Sequence, residues 1–225
     1  VNNMTHELKT PLSTIAVASS SLGNREHIQK KDKVEALSSL IKKQNKHLSE
    51  LIDRILDINI WEKDQVRLKY QEVDIEEWIG AMVDSFHMKH RQAEIRLDMD
   101  LQWLRVQLDE VHLSTALNNL LSNAVRYGHP PVLIHLRIWQ EEAFLHISVT
   151  DNGPGIPRED LKHIFEKFYR GRDAKERVIR GLGLGLYYVK QICEAHGGSV
   201  QAASDTGKGC TMSIKIPLQN GNITG

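Results

Sequence analysis

The hydrophobic period changes once along this 225-residue chain, near Asp64, and that change splits the fold into two parts. Before it, Met4, Leu8, Leu12 and Ile15 recur at three- and four-residue steps, the spacing of one helix face, and Leu22 continues that face. Gly23-Asn24 breaks the pattern, and a polar stretch runs to Lys33. A second helix then carries Val34, Leu37, Ile41, Leu48, Leu51, Ile52, Ile55 and Leu56 in a near-heptad seam, with Lys42, Lys43, Lys46 and Glu50 on its wet faces. Two helices alone cannot enclose such a seam. A symmetric dimer closing a four-helix bundle would bury it, and packing of the hairpin on the rest of the chain is the alternative. The expected divisions are a helical hairpin over 1–62, a second domain over 63–219 and a tail over 220–225.

Beyond Asp64 the segments shorten and mix. "VRLKYQEVD" alternates like a strand, and "DIEEWIGAMVDSFHMKHRQA" reads as an amphipathic helix with an Asp cap. "EIRLDMD" and "WLRVQLD" suggest a hairpin. "DEVHLSTALNNLLSNAVRYG" is a strongly patterned helix that ends at Gly128. "PVLIHLRIW" and "AFLHISVTD" are strands about the turn-like "QEE". The helix "GLYYVKQICEAHGG" leads to a last hairpin, "SVQAASD" and "GCTMSIKIPL", closed by "TGKG". Strands grouped with helices, without strict βαβ alternation, predict an α+β sandwich with helices on one face.

Composition removes several function classes. Acidic and basic residues balance at 29 each, so nothing draws the whole chain toward nucleic acid or an anionic membrane. Cys193 and Cys210 make neither a disulfide framework nor a metal cluster, and read as core residues in a reducing compartment. No apolar run approaches the roughly 18–20 residues that span a bilayer. The chain starts at Val1 within an expected helix, so a longer parent protein is expected.

Three motifs carry chemistry. In "NLLSNAVRY", Asn119 and Asn123 are four residues apart and share a helix face. An amide oxygen suits Mg2+, which keeps water and phosphate oxygens as its other ligands. Arg126 lies within a turn and could offset phosphate charge. Taken alone, these asparagines could equally face water. In "DNGPGIP", Gly153 and Gly155 let a flat ring approach the backbone, and an ionised Asp151 can only accept hydrogen bonds, as from the exocyclic amine of adenine. The same composition also describes an ordinary tight turn. "GLGLGL", Gly181 to Leu186, opens a helix whose first N–H groups can take an anion, though a flexible joint would look similar. Its spacing matches neither the dinucleotide fingerprint nor the P-loop. Between the last two lies "IFEKFYRGRDAKERVIR". Its Arg170, Arg172, Lys175, Arg177 and Arg180 suit a mobile segment over a polyphosphate, or else a solvated loop, while Phe165 and Phe168 anchor its start.

The joint order of these motifs resembles the sensor histidine kinases of two-component systems. "NLLSNAVRY", "DNGPGIP", "IFEKF" and "GLGLGL" look like that family's N, G1, F and G2 boxes, and "THELKTPL" looks like its H box. The resemblance implies a dimerisation and phosphotransfer hairpin followed by the Bergerat-type α/β sandwich shared with Hsp90, gyrase and MutL. It implies ATP and Mg2+ as cofactors, with Asn123 at the metal, Asn119 beside it, Arg126 and Tyr127 at the phosphates and base side, and Asp151 reading adenine. Arg170 would contact the γ-phosphate, and the backbone of Gly181, Gly183 and Gly185 would serve the phosphates. Gly153, Gly155, Ile156, Phe165, Phe168, Leu182 and Leu184 complete the expected nucleotide-binding set. Cys210 departs from the Thr or Ser usual at its position.

The resemblance makes His6 the nucleophile toward ATP, since an unperturbed imidazole with pKa about 6.5 is largely neutral at pH 7. Glu7 would be its general base, and Thr10 would hold a water for attack on phosphohistidine, the E-x-x-T from Glu7 to Thr10 resembling the family's phosphatase motif. Pro11 should bend the helix beyond them. The implied partners are a second copy of the chain and a response-regulator receiver domain, with no nucleic acid and no membrane contact in this fragment. The implied place is the cytoplasmic portion of an inner-membrane protein. A catalytically silent ATP-binding scaffold is the alternative. An Hsp90-like ATPase is disfavoured, because "NNLLSNAVRY" holds no acid to activate water.

Overall fold

The computed structural model describes residues 2–23, 30–63, 68–102, 105–171 and 182–218, and within these the side chains of 2–4, 6–7, 50 and 53–63 are left undescribed. The chain forms two compact units.

The first is built on a helical hairpin of α1 (Asn2–Leu22) and α2 (Lys31–Lys63), which pack against each other. Helix α1 runs through Pro11, which is buried, as is Ala18 further along; Leu51 is buried on α2. Leu12 and Val17 remain 58% and 67% exposed, with Leu40 and Ile52 also exposed, so the seam is only partly enclosed by this one chain. Among the described residues no helix is long and apolar enough to cross a membrane.

The second unit holds two sheets and their helices. In chain order these are β1 (Gln71–Asp74), α3 (Ile75–Lys89), β2 (Ala93–Asp100), β3 (Arg105–Leu108), α4 (Glu110–Tyr127), β4 (Val132–Glu141), β5 (Phe144–Asp151), the short α5 (Arg158–Leu161), α6 (Gly185–Ala195), β6 (Ser199–Ser204) and β7 (Cys210–Pro217). The main sheet has the order β2-β4-β5-β7-β6; β2 and β4 are parallel and the other pairs antiparallel. Alternation sends Ile134, Leu136 and Ile138 of β4, Leu145 and Ile147 of β5, and Ile214 and Ile216 of β7 to one buried face. Leu113, Leu117, Leu120 and Leu121 of α4 and Val189 and Ile192 of α6 fill the other side of that core. Helix α3 joins through Trp78, whose indole N–H donates to Ser114 Oγ at 2.6 Å. The opposite sheet face is polar and aromatic: Trp139 stacks on His146 at 4.8 Å, and Arg137 lies over Trp139.

One pairing corrects the sequence reading. Strands β2 and β3 are not a hairpin: β2 pairs in parallel with β4, and β3 pairs with β1. The four residues between β2 and β3, 101–104, hold no Gly, Asn or Asp, the residues on which two-residue hairpin turns depend. The alternating run before α3 also shortens. Of its described residues, 68–74, only Gln71–Asp74 is strand, and just before it the Lys69 N–H donates to the Asp109 carboxylate at 2.7 Å. The α3 pattern stops at Lys89, where the chain turns into β2.

Asp109 explains the sharp start of α4. It is 2% exposed and caps the helix by accepting from His112 N at 3.0 Å. Its own N–H donates to the buried His196 Nε2 at 3.3 Å, and the His196 ring also meets the Ile192 carbonyl at 2.8 Å. Burial by itself would raise the pKa of Asp109. The N–H groups of His112 and Lys69 and the His112 ring outweigh it and hold the carboxyl below its ordinary 3.8. The resulting stability is present above the unfolded pKa and is lost only as pH falls through the lower folded value. Asp109→Ala removes the cap and orphans the Lys69 N–H. It is expected to cost about 2–4 kcal/mol, read as a lower urea midpoint.

Candidate nucleotide site

The two asparagines of α4 take different environments. Asn119 Nδ2 donates to the Thr115 carbonyl at 3.0 Å, which turns its oxygen outward. A Cβ placed on Gly185 would meet that Oδ1 at 3.1 Å, so the start of α6 lies directly against Asn119. Asn123 is half-buried one turn along, and no hydrogen bond to its amide forms among the described residues. An oxygen donor beside the N-terminus of an 11-residue helix is a suitable cradle for anionic oxygen and a hard cation. Arg126 is exposed and Tyr127 half-buried at the end of the same helix.

Asp151 ends β5, opposite Cys210 in β7. Its Oδ1 accepts from Gly153 N at 2.8 Å. A Cβ on Gly153 would lie 2.8 Å from that oxygen and 2.9 Å from the Tyr127 carbonyl, so this turn requires glycine. Burial pushes the Asp151 carboxyl above its ordinary pKa; the N–H groups of Gly153 and Cys210 and the nearby His129 pull the other way and do not prevail. Gly155 has φ 75, and Ile156 N donates to Ser204 Oγ at 2.8 Å.

Phe165 and Phe168 are half-buried, and Phe168 sits at φ 65, an uncommon conformation for a bulky residue. Tyr169 O–H donates to the buried Asp160 at 2.7 Å and fixes the chain there, just before the half-buried Arg170. Leu182 and Leu184 are buried, with Gly183 at φ 68 between them. Gly181, Arg172, Lys175, Arg177 and Arg180 lie outside the described residues.

Thus Asn119, Asn123, Arg126, Tyr127, Asp151, Gly153, Gly155, Ile156, Phe165, Phe168, Arg170 and Gly185 belong to one compact unit. His6, Glu7 and Thr10 belong to the other, together with Leu182–Leu184. His6 and Glu7 lie within α1, with side chains outside the described part, while Thr10 is exposed. Sequence reasoning missed Asn152. Its Oδ1 accepts from Leu133 N at 3.1 Å and its Nδ2 donates to the carbonyls of His129 and Pro131, tying the end of α4 to the strand before the turn. An Asn between Asp and Gly is the available signal, and by composition it describes only a turn. Both cysteines are buried, and burial pushes each thiol up to about 12, consistent with inert core residues.

Compared with known families, residues 108–220 match "Histidine kinase-, DNA gyrase B-, and HSP90-like ATPase", and residues 1–63 match "His Kinase A (phospho-acceptor) domain". The chain belongs to the sensor histidine kinases. It is 33% identical to sensor protein RprX of Bacteroides fragilis over 97% of this chain and 43% of that protein. It is 30% identical to sensor histidine kinase WalK of Bacillus subtilis over 97% of this chain and 36% of that one. The chain thus spans less than half the length of these relatives. The fold matches the Acinetobacter baumannii histidine kinase AdeS at TM-score 0.73 and 24% identity, over 96% of this chain and 98% of that one. The sandwich of this sensor-kinase chain is therefore the ATPase fold of its family, and its hairpin the phospho-acceptor domain.

Proposed function

We propose that this chain transfers the γ-phosphoryl group of ATP to His6 and passes it on to an Asp of a response-regulator receiver domain. The observation that carries this is one side of the sandwich: a half-buried, glycine-locked Asp151, and an Asn119 that abuts the start of α6 on a helix with no acid after Glu110. Such a site can bind and orient ATP but holds no α4 carboxylate to activate water. The nucleophile in this reading is His6, which belongs to the hairpin unit.

In the transfer, the Nε2 lone pair of His6 forms the N–P bond as the bond from γ-phosphorus to the bridging oxygen breaks, and ADP leaves with that electron pair. Glu7 takes up the proton from the far ring nitrogen. Asn123, with Asn119 beside it, would hold Mg2+, which supplies charge neutralisation at the phosphates when bound. Arg126, Tyr127 and Arg170 complete the phosphate side, with the glycine backbone of 181–185. Asp151 accepts from the adenine amine, with Gly153, Gly155, Ile156 and the two phenylalanines shaping the pocket.

The hairpin dimerises through the apolar residues it leaves exposed, closing a four-helix bundle. The domains divide at 62/63 and 219/220, and the parent is an inner-membrane receptor with this portion in the cytoplasm. Thr10, one turn from His6 on the same face, orients a water for hydrolysis of the phosphorylated receiver. Thr10→Ala is expected to slow phosphate release from a phosphorylated receiver domain by about 10²-fold while labelling of His6 persists. Equal loss of both activities would remove Thr10 from this role. The overall reading is tested by incubation with γ-labelled ATP. Nucleotide binding without label would favour the silent scaffold.

A further inference from the structure

The structure assigns Ser204, at the end of β6, as a positioning residue for adenine recognition, acting through the loop that carries Asp151. This inference rests on the ATP-binding reading above. Ser204 pairs with Cys210, which pairs in turn with Asp151, so the three sit side by side across the sheet. The Ser204 hydroxyl accepts from Ile156 N at 2.8 Å and donates to the Gly209 carbonyl at 2.7 Å. One side chain thus uses both its acceptor and its donor to fasten the Asp151–Pro157 loop to the β6–β7 turn. The approach is close all along this seam. Gly207 N donates to the Pro154 carbonyl at 2.6 Å. A Cβ on Gly155 would run into the Asp205 carbonyl and lie 3.1 Å from Ser204 Oγ, and one on Gly209 would run into the Asp151 carbonyl. Gly155 and Gly209, at φ 75 and 84, permit a contact that Ser204 then holds in register.

The Asp151 carboxylate is oriented by the Gly153 N–H on its Oδ1, and Gly153 is placed by a loop whose far end is tied at Ile156. Without the Ser204 hydroxyl, Ile156 N and the Gly209 carbonyl lose their shared partner and the loop can shift against the sheet. A shift of a few tenths of an ångström at Asp151 weakens a directional bond to the base without touching the phosphate side. The effect therefore falls on nucleotide affinity and base choice and spares the transfer rate once ATP is bound.

The test measures ATP and GTP dissociation constants, and phosphorylation rate against ATP concentration, for the unaltered chain and for Ser204→Ala, Ser204→Cys and Ser204→Thr. Ser204→Ala is expected to raise the KM for ATP about 10-fold, leave kcat within about 2-fold and narrow the preference for ATP over GTP. Ser204→Cys is nearly isosteric but a poor hydrogen-bonding group, so it should weaken affinity even if the alanine variant does not fold. Ser204→Thr keeps the hydroxyl and should restore affinity. Unchanged affinity in Ser204→Cys, or a fall in kcat with KM unchanged, overturns the assignment. An unaltered chain that does not bind ATP overturns this inference and the proposed function together. One that binds ATP while the Ser204 variants match it overturns this inference alone.

Discussion

Replacing His6 with Gln should abolish transfer of the γ-phosphoryl group to the chain while leaving ATP affinity within a factor of about two. The expected loss is total because the reaction forms a bond to this ring, and an amide offers no comparable nucleophile. Affinity should persist because the nucleotide-side residues from Asn119 to Arg170, with Gly185, sit in a different compact unit from His6. A substitution of His6 that weakened ATP binding as strongly as it weakened labelling would mean that the two units do not divide the work in this way. Filter-binding of label and direct titration of ATP on the same preparation measure the two quantities separately.

Asp151→Asn should make the opposite cut, weakening nucleotide binding while leaving His6 intact. One oxygen of Asp151 is already committed to Gly153 N. An asparagine that keeps that bond turns its NH2 group toward the adenine amine, so a donor meets a donor. A charge-assisted hydrogen bond is worth about 1.5–3 kcal/mol, so the expected rise in Kd is on the order of 10- to 150-fold. Stability should move the other way. Burial raises the pKa of Asp151, so its charged form is disfavoured in the folded chain at neutral pH, and that cost is absent at pH below the ordinary 3.8. A neutral Asn removes the cost, and the ATP-free variant should be at least as stable as the parent by urea unfolding. A carboxyl held for binding at the expense of stability is typical of functional sites. The pH dependence follows from the same shift. ATP affinity should begin to fall on acidification at a higher pH than an ordinary carboxylate would set, and the fall should vanish in Asp151→Asn.

Local pattern carried much of this fold. Asp109 and Gly128 bracketed α4 because a cap side chain and a helix-ending glycine act on their own neighbours. The last hairpin was legible for the same reason: two alternating runs flank a short glycine turn. Pairing between distant strands was not legible. Nothing in Ala93–Asp100 says that its partner is Val132–Trp139 and not the nearer Arg105–Leu108, because either choice buries a similar face. The site divided along the same line. Asp151, Gly153 and the asparagines were visible as residue types that suit a nucleotide. Asn152 and Ser204 were not, because each acts on main-chain groups that lie up to 48 residues away, which composition does not reveal. The network of Asp109 and His196, 87 residues apart, was hidden likewise. Its outward sign was a lone histidine in "EAHGG", which is ordinary in a helix end.

The central claim is that the nucleotide pocket of the sandwich serves the histidine of the hairpin. It is tested most directly by incubating the chain with γ-labelled ATP and Mg2+, digesting it under alkaline conditions and locating the label. The account predicts a single base-stable, acid-labile label on the peptide that contains His6, absent in both His6→Gln and Asp151→Asn at limiting ATP. Label on any other residue, or label that survives in His6→Gln, would contradict it.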